Sequence, residues 1–128
     1  MKKLLFFLLA VMMLTACGQD IEKDRGAVYV NITAEEAKQI MDSEEGYAIV
    51  DVREQDEYDA LHIPGAILIP YTQIEEKAEK LLPDKDQLIL VYCRSGRRSK
   101  IAAEALAELG YTNIKEFGGI IDWPYEVE

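Results

Sequence analysis

The chain has only two cysteines, Cys17 and Cys93, and one histidine, His62. With so few soft ligands no His/Cys metal centre can be assembled, and a cysteine-rich zinc site is excluded. Basic residues are also scarce. Fourteen Lys and Arg stand against 24 Asp and Glu, a formal net charge of −10. A surface of that sign repels phosphate backbones, which argues against nucleic acid as a partner. No apolar run approaches the ~20 residues that a membrane-spanning helix needs. There is no internal repeat and no low-complexity segment, and 128 residues suit one domain rather than two.

What is present begins with a leader. Met1-Lys2-Lys3 is followed by an unbroken apolar run from Leu4 to Leu14, the proportions of a secretory signal. The run ends in Leu14-Thr15-Ala16-Cys17, which resembles the lipobox of bacterial lipoproteins. That resemblance implies cleavage before Cys17, a lipid on its sulfur, and attachment to the cell membrane outside the cytoplasm. A plain signal peptide with an incidental cysteine, or an uncleaved anchor, is the alternative. The expected organisation is therefore a signal peptide over 1–16, a polar tether over 17–27 and a domain over 28–128. Loss of Lys2 and Lys3 leaves 12 basic against 24 acidic side chains, a net charge of −12. If Cys17 carries lipid, Cys93 is an unpaired thiol in an exported protein, which points to intermolecular pairing or to reactivity.

Strand and helix patterns alternate along the domain. Val28–Ile32 is a short β-prone run, and Thr33 and Glu36 have capping-box spacing ahead of a helix bearing Ala37, Ile40 and Met41. Tyr47–Val52 and Gln87–Tyr92 are nearly continuous apolar runs, as expected of strands buried on both faces. Glu54–Ala60 reads as a short polar helix, His62–Gly65 as a turn and Ala66–Ile69 as a strand. Ile74, Ala78, Leu81 and Leu82 have helical spacing, as do Ile101, Ala102, Ala105, Leu106 and Leu109 before Gly110. Ile114–Phe117 is a last short strand. Alternation of this kind predicts an α/β domain with a parallel sheet of about five strands and helices on both faces. Strand order does not follow from the pattern.

Cys93 lies where a buried strand stops and a helix is about to begin, the carboxyl edge at which open α/β sheets bind ligands. Gly96 eases the turn, and a helix starting near Arg98 or Ser99 aims its unpaired N–H groups and positive dipole end at the sulfur. Thiols so placed, or beside Arg, have pKa values lowered from about 8.5 to as little as ~3.5–7.5. Arg94, Arg97, Arg98 and Lys100, a third of the mature chain's basic residues, follow within seven positions of Cys93. An inert core cysteine beside a solvated helix start is the competing reading. Concentration of positive charge around one thiol in an acidic chain favours a reactive thiolate that meets anions.

Cys93-Arg94-Ser95-Gly96-Arg97-Arg98-Ser99 resembles the active-site loop of the rhodanese family, whose pattern in many single-domain members is Cys-x-x-Gly-x-Arg. Asp51-Val52-Arg53-Glu54-x-x-Glu57-Tyr58, His62-Ile63-Pro64-Gly65-Ala66 and Gly118-Gly119-Ile120-x-x-Trp123 are similar to three other blocks of that family, in the same order. The resemblance spans residues 30–125. It implies sulfur transfer from thiosulfate or a similar small anionic donor, through a Cys93 persulfide, to cyanide or a thiol. The acceptor thiol belongs to a small molecule or a thioredoxin-like protein, and the chemistry needs no cofactor or metal. Arg94, Ser95, Gly96, Arg97 and Arg98 are the expected donor-binding residues. Asp51, Arg53, His62 and Ser99 are expected to support the site rather than react, and Trp123 to pack.

Two rivals share these residues. Related folds place Cys-x-x-x-x-x-Arg around a phosphate or arsenate. Here the sixth position after the cysteine is Ser99, and the arginine arrives one residue early at Arg98. The second rival is a persulfide carrier or redox-partner module with little turnover. With no second cysteine in the mature domain, some external acceptor is required in either case.

Overall fold

Five short hydrophobic segments form one sheet in a computed structural model that describes residues 28–128. The leader, Cys17 and the tether to residue 27 lie outside the described residues. The strands are β1 (Val30–Asn31), β2 (Ala48–Asp51), β3 (Ala66–Leu68), β4 (Ile89–Cys93) and β5 (Ile114–Gly119). Their order is β1-β5-β4-β2-β3, and every neighbouring pair is parallel. Four helices connect them: α1 (Ala34–Ser43), α2 (Gln55–Ala60), α3 (Ile74–Leu81) and α4 (Arg97–Glu108).

β2 and β4, the longest apolar runs, are buried along their whole length. Because side chains alternate across a strand, each feeds two cores. Val50, Val91 and Cys93 pack with Ile74 and Ala78 of α3 and Ala102, Ala103 and Leu106 of α4. Ile49, Leu90 and Tyr92 face the other side, with Ala37 of α1, Phe117 and Trp123. The α/β class, the five parallel strands and the two covered faces agree with the sequence pattern. α1 opens on the Thr33–Glu36 capping box, in which the Glu36 N–H donates to Thr33 Oγ1 at 3.0 Å and the Thr33 N–H to Glu36 Oε1 at 2.9 Å. Such a cap contributes about 1 kcal/mol.

Three boundaries differ from the sequence expectation. β1 keeps two of its five predicted residues, because as an edge strand it pairs only with β5. β4 runs through Cys93 rather than stopping at Tyr92. Between Val91↔Glu116 and Cys93↔Gly119 the register slips by one residue, a bulge in β5 that brings Gly119 opposite Cys93. α4 begins at Arg97, one residue before the earlier of the two expected starts. Gly96 is its N-cap at φ +114°, a conformation open to glycine that turns the chain into the helix sooner.

Candidate active site

Cys93 ends the central strand with its side chain on the α3/α4 side, and the residue is 1 % exposed. The loop then doubles back so tightly that the Gly96 N–H donates to Cys93 Sγ at 3.0 Å, while Ser99 Oγ lies 3.5 Å from the same sulfur. Burial pushes the thiol up. Hydrogen bonds from the Ser99 hydroxyl and from the backbone N–H groups of Gly96, Ser99 and Ser95 outweigh it and hold Cys93 below its usual range. The sulfur therefore sits in a cup of N–H and O–H donors at a helix start, where an anion on sulfur is stabilised.

Two glycines of β5 brace that cup from behind. Gly118 takes φ +87° in the bulge and donates its N–H to Glu116 Oε2 at 2.9 Å. Gly119 lies flat under the loop. A Cβ there would stand 2.5 Å from Ser95 Cα and closer still to the Arg94 carbonyl group, below the 3.0 Å that real Cβ contacts respect. The Ile121 N–H donates to the same Arg94 carbonyl at 3.2 Å. The Gly-Gly-Ile block thus seats the Cys93 loop.

The cations divide into two kinds. Arg98 is half-buried and forks onto Glu57 of α2, Nη1 to Oε1 at 2.8 Å and Nη2 to Oε2 at 3.0 Å. This fork, with the Glu54 N–H and the charge of Arg53 assisting against burial, lowers the Glu57 carboxyl from about 4.5 to about 2. The guanidinium is committed to holding α2 against the start of α4. Arg94, Ser95 and Arg97 are exposed on the loop, while Gly96 is buried beneath them. Lys100 Nζ reaches back to within 3.6 Å of where a Gly96 Cβ would stand. Among the described residues Arg94, Arg97 and Lys100 enter no ion pair.

Asp51 and Arg53 form a buried pair at the end of β2, with Arg53 Nε 2.9 Å from Oδ1 and Nη2 2.7 Å from Oδ2. Tyr92 donates its hydroxyl to Asp51 Oδ2 at 2.6 Å and accepts the Ile63 N–H at 3.0 Å. Arg53 also donates to the Leu61 carbonyl at 2.7 Å. This network ties β2, β4 and the turn after α2 together on the sheet face opposite the sulfur. His62 stacks on Tyr58 at 3.8 Å, and its backbone exchanges two hydrogen bonds of 2.8 Å with Glu128. Its ring nitrogens meet the Tyr58 carbonyl and the Glu128 carboxylate, not Cys93. Trp123 packs between Phe117 and Tyr125.

Two participants escape a reading of the linear sequence. Glu57 stands out only as part of a motif, with no sign that it would claim Arg98. Glu116 is fully buried beside Ser99, yet in the sequence it is one acidic residue in a short strand among many surface acids. A cleft of about 460 Å³ lies at the opposite, amino-terminal ends of the strands, around Tyr47, Pro64, Leu82 and Gln87. Among the described residues no group of His, Cys, Asp and Glu is placed to hold a metal ion.

The family model described as a rhodanese-like domain matches residues 33–124. This chain belongs to the rhodanese-like domain family. Thiosulfate sulfurtransferase PspE of Escherichia coli (strain K12) is 41% identical to it over 73 residues, 57% of this chain and 70% of that protein. The putative sulfur carrier protein YrkF of Bacillus subtilis (strain 168) is 35% identical over 112 residues, 87% of this chain and 60% of that protein. Among solved structures, a rhodanese with anions from E. coli shares 36% identity at a TM-score of 0.61, over 64% of this chain and 96% of that one. A rhodanese-related protein from Thermoplasma volcanium shares 33% identity at a TM-score of 0.68, over 78% and 98%. All of the loop and both bracing glycines fall inside the matched rhodanese-like segment.

Proposed function

We propose that this rhodanese-like domain is a sulfurtransferase that carries sulfane sulfur on Cys93. The observation behind this reading is the Cys93 sulfur itself, nearly buried, with its thiol held below the usual range inside a cup of N–H and O–H donors. A thiolate so enclosed admits a slender donor whose reactive atom stands at its tip, such as thiosulfate. The thiolate attacks the outer sulfur, the donor S–S bond breaks, and sulfite leaves with the bonding electron pair. Cys93 becomes a persulfide whose terminal anion meets the loop donors. An acceptor thiolate then attacks that outer sulfur, and the Cys93 thiolate departs. This is covalent catalysis by an activated nucleophile. Arg94, Arg97 and Lys100 attract the doubly charged donor, while Arg98 shapes the loop through Glu57. With the sixth position after Cys93 occupied by buried Ser99 and Arg98 turned to Glu57, no arginine closes the loop as an oxyanion clamp for phosphate would require.

The acceptor is a small thiol or a thioredoxin-like protein, since Cys93 has no second cysteine among the described residues to resolve its persulfide. The domain works outside the cytoplasm, held to the membrane through lipid on Cys17. The full chain incubated with thiosulfate is expected to gain the mass of one sulfur atom at Cys93, and none in Cys93→Ser. No gain with the thiol intact would overturn sulfur transfer. A gain without turnover to cyanide or small thiols would mark a carrier, the role that the name of YrkF suggests for that relative.

A further inference from the structure

Two carboxylates among the described residues are completely buried, Asp51 and Glu116. Asp51 has Arg53 as its counter-charge, but no described cation lies within ion-pair reach of Glu116. Its carboxylate is instead embedded in hydrogen bonds. Oε1 accepts from Asn31 Nδ2 at 2.6 Å, and Oε2 accepts the Gly118 N–H at 2.9 Å. Oε2 also lies 2.5 Å from Ser99 Oγ, and Ser99 Oγ lies 3.5 Å from Cys93 Sγ.

Ser99 has a single hydroxyl hydrogen, and the proton count around it is decisive. An O···O contact of 2.5 Å requires a proton between the two oxygens. The carbonyl oxygens of Gly96 and Gly118, 3.0 and 3.4 Å from Ser99 Oγ, can accept that hydrogen but supply none. If Ser99 donates to Glu116, it has nothing left for a Cys93 thiolate. If Ser99 donates to the thiolate, Glu116 must hold the proton of the short contact. With both Cys93 and Glu116 ionised, one of the two must do without the Ser99 hydroxyl, and two negative charges would stand close together inside the protein on the remaining N–H donors alone, a costly arrangement.

We propose that Cys93 and Glu116 share one proton through Ser99, so that Glu116 stores the proton that the thiol releases. In the thiol form Cys93 S–H donates to Ser99 Oγ, and Ser99 O–H donates to Glu116 Oε2. Ionisation reverses the chain. The S–H bond breaks, the sulfur keeps the electron pair, Ser99 Oγ takes the proton, and the hydrogen that Ser99 held moves to Glu116 Oε2. The cluster's net charge is the same in both forms, and no proton has to cross to solvent. Asn31 and the Gly118 N–H donate to the Glu116 oxygens in either form. Ser99 touches the reacting sulfur, whereas Glu116 is a positioning residue that acts through Ser99.

The surroundings are otherwise sparse in titratable groups. On the Cys93 side stand Arg98, already held by Glu57, and Lys100 at the loop rim, with Arg94 and Arg97 exposed outside. On the Glu116 side stands Tyr29, whose hydroxyl is pushed up by burial and by the charges of Glu116 and Glu104. The proposal rests on Cys93 being the nucleophile of the preceding section. Its test reads ionisation and not turnover, so failure of sulfur transfer and failure of proton sharing give different results.

The experiment is a pH titration of the full chain by carbon NMR, with label at cysteine Cβ and glutamate Cδ. Cys93→Ala identifies the Cys93 signal and Glu116→Gln the Glu116 signal. In the wild type, Cys93 Cβ and Glu116 Cδ should report the same two midpoints, separated by more than about one pH unit, as for sites that titrate as a pair. In Ser99→Ala each should collapse to a single midpoint. In Glu116→Gln, Cys93 should titrate once, about one unit below the upper wild-type midpoint, because the amide carries no charge. Independent single midpoints in the wild type, unmoved by substitution of the other residue, would overturn the proposal. Should Glu116→Gln not fold, the wild-type titration together with Glu116 Cδ in Cys93→Ala, expected to show one midpoint, decides the matter.

Discussion

Replacing Gly119 by alanine should damage the Cys93 loop far more than the same change at its neighbour Gly118. At Gly119 the new methyl group would overlap the Arg94 carbonyl and Ser95 Cα, which are backbone atoms with no rotamer to escape into. Relief requires the loop to retreat from β5 by about 1 Å, a misplacement that costs on the order of 10²-fold in a positioned reaction. Overpacking of this kind also destabilises by about 3 kcal/mol, equivalent to a Tm fall of roughly 12 °C or more for a domain of this size. Gly118, by contrast, has nothing within 4 Å of its would-be Cβ, and its φ of +87° is the only obstacle. Alanine there should cost about 1–2 kcal/mol with little effect on loop position. The assay is the rate at which Cys93 gains sulfur from thiosulfate, followed by intact mass well below the Tm of each variant, with thermal unfolding by circular dichroism alongside. Gly119→Ala should remain folded in the cold yet react about 10²-fold more slowly. Wild-type rates in Gly119→Ala, or a greater loss in Gly118→Ala, would refute the bracing role assigned to Gly119.

The Glu57–Arg98 fork makes stability pH-dependent: with the folded carboxyl lowered to about 2, its contribution is complete above about 4.5 and is lost as pH falls through 2. Glu57→Gln should therefore cost about 1–2 kcal/mol at neutral pH, less than the full shift because a quarter of the carboxylate meets solvent, and close to nothing at pH 2; urea unfolding at the two pH values checks this. Asp51→Asn leaves Arg53 buried without its counter-charge and should lower stability by about 3–5 kcal/mol, read as a lower urea midpoint at unchanged m. Cys17→Ala should release the protein from the membrane pellet into the soluble fraction, and unchanged pelleting counts against lipid attachment.

Much of the fold is legible because its signals are local. The apolar runs at Ala48–Asp51 and Ile89–Cys93 are long enough to be buried on both faces, and the Thr33–Glu36 box marks its helix start unambiguously. The strand ends were less legible, since β4 is extended through Cys93 by a bulge in β5, a strand distant in sequence.

The site divides along the same line. By itself the sequence singled out Cys93 and its immediate cradle, because a strand-end cysteine, a glycine able to take φ +114° and a helix start lie within one short segment. Only the tertiary structure decided what each loop cation does. Because β2 lies beside β4, α2 is brought to the start of α4, and Glu57 claims Arg98 while Arg94 and Arg97 stay exposed. Because β5 lies on the other side of β4, Gly119 supports the loop, and Glu116, one acid among 24, is carried under Ser99 into the sulfur's hydrogen-bond chain. Strand order sets these neighbours, and strand order is a property of long-range packing that no local pattern encodes.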